Sequence, residues 1–196
     1  MFRMHLLALA VLGLGAAAGL AGETVGVDGS SAQYPVRVEC NVGGQPVKLV
    51  LTGTAVRKKY FFNVYAVASY VQQGAAVHSA DELAAADVPK QLHLVMERGV
   101  DGKTMAAAFR EAVRLNYPAG TFDNELNTLA DFMQANPVKK GDQVWLTHIP
   151  GVGFRGRLGA KAVLIRNPRF SRAIWDIYLG KNNLGEAIKQ GLTSRL

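Results

Sequence analysis

The chain has 196 residues, 49% of them hydrophobic and 19% charged, with a formal net charge of +7, a single cysteine and a mean hydropathy of +0.08. That length suits one ordinary domain with a full core, and the composition excludes a disordered chain and a multi-span membrane protein. The cations are scattered and form no dense cluster interleaved with aromatics, which argues against a nucleic-acid partner and leaves a general bias toward anionic ligands or surfaces.

Residues 1–21 read as a leader. "MFRMH" gives a short basic start through Arg3, and "LLALAVLGLGAAAGLA" is an uncharged run of 16 ending in small residues, with Gly19 and Ala21 placed for cleavage. A membrane span needs about 20 apolar residues, so the alternative of a retained anchor is served poorly by a run this short and this rich in alanine and glycine. No stable span is expected after cleavage, and the absence of a cysteine behind the run argues against a lipid anchor. The expected product is one domain, residues 22–196, periplasmic or secreted, with the formal charge lowered from +7 to +6 by the loss of Arg3. Cys40 cannot form an internal disulfide; it alternates with Val36, Val38 and Val42 and reads as a small buried hydrophobe.

Residues 36–42, "VRVECNV", alternate apolar and polar, and "PVKLVLTG" continues beyond Gly43 and Gly44, which predicts a hairpin. The stretch "GTAVRKKYFFNVYAVASYV", residues 53–71, predicts a third and longer strand. "QLHLVME" (91–97), "DQVWLTHI" (142–149) and "GAKAVLI" (159–165) alternate again. Helical spacing fills the gaps: Met105, Phe109, Ala112 and Val113 share one face, and Phe122, Leu126, Leu129 and Met133 another. In "NPRFSRAIWDIYLG", Asn167 is placed as N-cap, Pro168 opens the helix and Gly180 closes it, with Phe170, Ile174, Ile177 and Tyr178 inward. Asn183 and Glu186 stand at capping-box spacing ahead of a last helix. Strands joined by short turns and helices grouped together imply an α+β architecture, an antiparallel sheet with one face covered by helices.

No G-x-S-x-G, H-E-x-x-H, Walker or C-x-x-C motif occurs. His78, His93 and His148 lie far apart and read as surface or satisfied polar positions, so neither a metal nor a cofactor is expected. "GVGFRGRLG" lies between two strands and reads as a hairpin turn, while Asp123, Glu125 and Asp131 read as a solvated helix face. If residues 53–71 form one unbroken strand, Arg57, Phe61, Asn63, Tyr65, Val67 and Ser69 share a mixed face. The other face (Tyr60, Phe62, Val64, Ala66, Ala68, Tyr70) is apolar and suits burial under helices. A half-buried guanidinium needs an anionic partner, and its planar fork fits a carboxylate or enolate. On spacing alone a solvated strand-end arginine, like Lys58 and Lys59, is the slightly favoured reading.

The segment "LTGTAVRKKYFFNVYAVASYV" resembles the arginine-bearing strand of the chalcone isomerase family, a G-x-G/A-x-R followed by an apolar strand ending in tyrosine. The tail "FSRAIWDIYLGKNNLGEAIKQGLTSRL" is similar to that family's closing helices, with Ser171, Gly180, Lys181, Lys189, Leu192, Arg195 and Leu196 in matching places. The resemblance spans most of residues 34–196 and implies an open-faced β-sandwich with a ligand cleft between sheet and helices. It also implies two branches, enzymes that cyclise chalcones and non-catalytic relatives that hold a fatty-acid carboxylate with the same arginine. Arg57 matches that arginine, and Tyr65 falls near a strand threonine of the enzymes. Thr104 or Met105 stands near the place of a catalytic tyrosine and Glu111 near that of an asparagine, and Arg169 and Phe170 stand near a hydroxyl–apolar pair.

The arginine is kept and most of its catalytic company is not. The expectation is an exported protein that binds a small hydrophobic carboxylate such as a fatty acid, with Arg57, Tyr65, Asn63, Thr104, Glu111 and Phe170 as the candidate ligand-binding set. Two alternatives stay open: an isomerase (intramolecular lyase) in which Arg57 stabilises an enolate, and an envelope interaction protein that uses the fold as a scaffold.

Overall fold

The computed structural model describes residues 22–196, so the leader expected at 1–21 lies outside the described residues. A small antiparallel pair, β1 (Thr24–Gly26) and β2 (Gln33–Pro35), precedes a sheet of seven strands. These are β3 (Arg37–Val42), β4 (Gln45–Lys59), β5 (Phe62–Gln72), β6 (Lys90–Met96), β7 (Gln143–Ile149), β8 (Gly153–Leu158) and β9 (Lys161–Ile165). Each strand pairs antiparallel with the next in sequence, so the sheet is a meander. Helix α1 (Ala80–Ala85) joins β5 to β6, α2 (Gly102–Arg114) and α3 (Asp123–Ala135) join β6 to β7, and α4 (Pro168–Leu179) and α5 (Glu186–Leu192) follow β9. No helix among the described residues is long and apolar enough to cross a membrane.

The hairpin at Gly43–Gly44 forms as expected. Both glycines take positive φ, 61° and 88°, which a two-residue turn matched to the twist of its strands requires. Stretch 53–71 is different. It is two strands, broken by the two-residue loop Tyr60–Phe61, with Lys59 paired to Phe62. Because Arg57 pairs directly with Tyr65 across the hairpin, the two side chains share a face. The shared face predicted from one continuous strand is therefore real, and its cause is cross-strand register. A register shift follows at once, Lys58 pairing with Asn63, so that Val64 is the extra residue of a bulge. The bulge turns Asn63 to the opposite face, where its amide donates to Gly29 O at 2.8 Å in the β1–β2 turn.

The helices cover the face that carries Tyr65 and Val67, not the even-numbered face. The large core there joins Val67, Val71, Leu92, Leu94 and Leu146 to Phe122, Leu129, Phe170, Ile174, Trp175 and Tyr178. Ala66, Ala68 and Tyr70 pack on the other side, with Leu49, Leu51 and Tyr34, under the β1–β2 pair that sequence patterning did not reveal. Cys40 is half-buried at the edge of this second cluster.

"GVGFRGRLG" is strand β8 with a turn on either side, not a turn itself. Its alternation is hidden because four of its inward or turning positions are glycine. Helix α4 starts as expected, with Asn167 Oδ1 accepting from Phe170 N at 3.1 Å and Pro168 in the first turn. Helix α5 does not use the predicted capping box. Gly185 is its N-cap, and Asn183 instead accepts from Gly185 N at 2.8 Å.

Candidate ligand site

The sequence "LTGTAVR" acquires a physical reason from α5. A second bulge leaves Thr52 unpaired between Leu51 and Gly53, and its hydroxyl donates to Ser69 O at 3.1 Å and to Leu192 O at 2.8 Å. Gly53, at φ 153°, has the Gly191 carbonyl where a Cβ would be, and a Cβ on Gly191 would lie 2.6 Å from Thr54 O and 3.1 Å from the Ala55 methyl. Small residues at 53, 55 and 191 thus let the α5 backbone lie directly on β4. The segment leading into α5 is held close by the same seat, and Arg57 Nη1 donates to Leu184 O at 3.1 Å.

Arg57 is half-buried, and among the described residues it makes no ion pair. Tyr65 beside it meets the Tyr178 hydroxyl at 3.3 Å. Burial raises the pKa of both phenols against the opposing pull of the Arg57 charge, so both are neutral hydroxyls over the physiological range.

On the far side of the Tyr65 ring, between the sheet and helices α2 and α3, lies a cavity of about 490 Å³. Its walls are apolar: Leu94 and Met96 from β6, Val144 and Leu146 from β7, Met105 and Phe109 from α2, and Leu129, Phe132 and Met133 from α3. Charged groups occur only toward solvent, where Lys59 and Arg98 contribute two cations and Asp101 one carboxylate, while the Arg157 guanidinium lies on the other face of the sheet. None of those cations makes an ion pair among the described residues. Arg157 lies 3.6 Å over the Trp145 ring, and burial lowers its pKa.

The candidate residues separate accordingly. Tyr65 and Thr104 line the cavity, Thr104 near its mouth in the first turn of α2. Arg57 stands behind Tyr65 and does not itself line the hollow. Asn63 faces the β1–β2 turn because of the Val64 bulge, and Val64 takes its place on the wall. Glu111 is exposed on α2 and does not line the cavity. Phe170 is fully buried in the core, edge-on to Phe122 and Phe154 at 5.6 and 5.9 Å between ring centroids, and is a packing residue. Met105, Phe109, Leu129 and Met133 were legible as helix stripes, but a stripe facing a hollow and one facing packed side chains have the same spacing. His93 stacks on Trp145 at 4.8 Å, and His148 is buried between Asp87 and Ser171. Among the described residues no cluster of His, Cys, Asp and Glu is arranged to hold a metal.

A family model described as chalcone isomerase-like matches residues 31–193. The chain belongs to the chalcone isomerase-like family. Among solved structures it is similar to a fatty-acid binding protein of Arabidopsis thaliana, at 18% identity and a TM-score of 0.69, over 87% of this chain and 96% of that one. At that identity the likeness speaks for the fold: an α+β open-faced sandwich with helices on one side of the large sheet. No curated protein matches by sequence.

Proposed function

We propose that the chain is an exported protein, periplasmic or secreted, that binds a small hydrophobic carboxylate such as a fatty acid. The observation that carries this is the apolar cavity of about 490 Å³ lined by Tyr65, which is the cross-strand neighbour of Arg57 and meets the Tyr178 hydroxyl. Its size falls in the roughly 300–1,000 Å³ range of small-molecule sites. Burying about 300 Å² of alkyl surface at ~25 cal/mol/Å² gives a gross gain near 7 kcal/mol before association costs, so micromolar binding also requires the headgroup contacts. In this reading the tail lies between α2, α3 and the sheet, while the carboxylate accepts from Tyr65 in the field of Arg57. Neutral phenols are suited to donating such a bond and unsuited to acting as bases, which favours binding over isomerisation. The similarity to a fatty-acid binding protein supports the same choice. The basic start and apolar run of residues 1–21 support export.

Calorimetric titration of dodecanoate tests the reading. The wild-type chain is expected to bind in the micromolar range, and Arg57→Ala to bind about tenfold more weakly or worse, while keeping its circular dichroism spectrum and a cooperative melt. Equal affinity would remove Arg57 from the site. Loss of chalcone absorbance above the uncatalysed rate would instead favour the isomerase.

A further inference from the structure

The exposed tip of the β4–β5 hairpin is unlike the rest of the surface. Six large hydrophobic residues are exposed among the described residues, and three of them are consecutive: Tyr60 at 85%, Phe61 at 97% and Phe62 at 64%. The tip stands clear of the sheet. The last pair between β5 and β6 is Tyr65 with Met96, and from Asn63 outward β4 and β5 pair only with each other. Tyr60 is also the one non-glycine residue with positive φ among the described residues, at 55°. A turn glycine would take that conformation without strain, so an aromatic there costs conformational energy that folding does not require.

Cations flank this tip. Lys58 and Lys59 are exposed directly before it, and Arg98 is exposed with its guanidinium 5.9 Å over the Phe62 ring. The carboxylate bonded at this hairpin, Glu97, is half-buried and receives the Asn63 amide at 3.2 Å, at the base of the ribbon and not its end. An aromatic point with a basic collar is complementary to the headgroup layer of an anionic bilayer, where rings are taken up at the interface and cations meet phosphates. A protein partner is less well matched, because a two-stranded tip offers little area against the ~1,000 Å² that a stable protein interface needs.

We propose that the β4–β5 tip is a docking surface for an anionic lipid bilayer, with Tyr60, Phe61 and Phe62 entering the headgroup layer and Lys58, Lys59 and Arg98 on lipid phosphates. Lys59, Tyr60 and Arg98 also line the cavity mouth, so docking brings that mouth onto the membrane. Docking itself does not depend on the ligand reading, since the tip is on the surface whether or not the cavity is filled.

The test uses residues 22–196, which hold every described element, and vesicles of phosphatidylcholine alone or mixed equally with phosphatidylglycerol. The chain is expected to float with the mixed vesicles and to be released by high salt. Phe61→Ser, at a position with almost full exposure, is expected to lower partitioning about tenfold or more, as is the Lys58→Glu/Lys59→Glu pair. In a Phe61→Trp variant, tryptophan emission is expected to move to the blue with mixed vesicles only. Unchanged flotation of Phe61→Ser, or unshifted Phe61→Trp emission, overturns the proposal. A dimer in sedimentation that Phe61→Ser dissociates also overturns it, because a second copy then covers the tip. Dodecanoate titration without vesicles reports on the cavity alone, so failure of either proposal is visible separately.

Discussion

Replacing Gly53 with alanine is expected to cost the fold about 4 kcal/mol, by two additive causes. The residue is at φ 153°, where an L side chain is strained. The new methyl would also meet the α5 backbone: the Gly191 carbonyl, the Leu192 carbonyl carbon at 2.7 Å and Ser194 Oγ at 2.9 Å. Backbone cannot rotate aside as a side chain can, so α5 must lift from β4. That would break the bonds from Thr52 Oγ1 to Leu192 O and from Arg195 N to Thr52 O, at 2.8 and 2.9 Å. Gly44→Ala separates the causes, because Gly44 has positive φ (88°) and nothing within 4 Å of the added carbon. It is expected to cost only about 1 kcal/mol. Urea unfolding of both variants is the measurement, and a Gly53→Ala protein within about 1 kcal/mol of wild type would refute the seat. The lifted α5 would also take Leu184 O away from Arg57, so the same variant is expected to weaken dodecanoate binding.

Lys90→Met should destabilise the protein by about 3 kcal/mol without touching the cavity. Lys90 is 1% exposed, and its ammonium donates to Leu83 O, Ala84 O and Ala86 O at 2.8, 2.8 and 2.7 Å, closing the end of α1 onto the sheet. Methionine fills the volume but leaves three carbonyls without that donor. Arg172, Asp176 and Asp87 are the charged groups around it, the cross-strand neighbour His148 adds an imidazole, and Trp175 lies beneath at 5.2 Å.

Burial pushes the Lys90 pKa down from 10.5 to about 7, with Arg172 adding to the shift and Asp176 and Asp87 opposing it. Between those two values the unfolded chain holds a proton that the folded chain has released, so stability should rise with pH from about 7 toward 10. Above that the sign reverses, because burial raises the Tyr34, Tyr70 and Tyr117 phenols in the folded state. Lys90→Met should lack the rise. Urea midpoints across this range decide it, and parallel pH profiles for the two proteins would contradict the assignment.

The helices that build the site were legible in sequence, because α2, α3 and α4 carry apolar stripes and α4 carries the Asn167 cap that bonds as expected. The break at Tyr60–Phe61 was not. Loops that tight normally announce themselves with glycine or asparagine, and two aromatics between lysine and phenylalanine read as continuous strand. The Val64 bulge then inverted Asn63, a displacement that period-two counting cannot see. Arg57 and Tyr65 were nonetheless placed on one face because two departures cancel: an unbulged two-residue hairpin would pair Arg57 with Val64, and the bulge moves the pairing on to Tyr65. Glu111 and Phe170 came from positional likeness to a family pattern, and local packing assigned them elsewhere.

The bond from Arg57 to Leu184 joins residues 127 apart, whereas the meander pairs each strand with its immediate successor. Local pairing assembles early and long-range closure late, so the sheet can form well before the arginine acquires its carbonyl partner. A fragment ending at β9 would own every strand of the large sheet and still leave that cation unanchored. In the proposed function, competence to hold an anion is thereby tied to completion of the two closing helices, so that capture of a ligand would follow the sheet rather than accompany it.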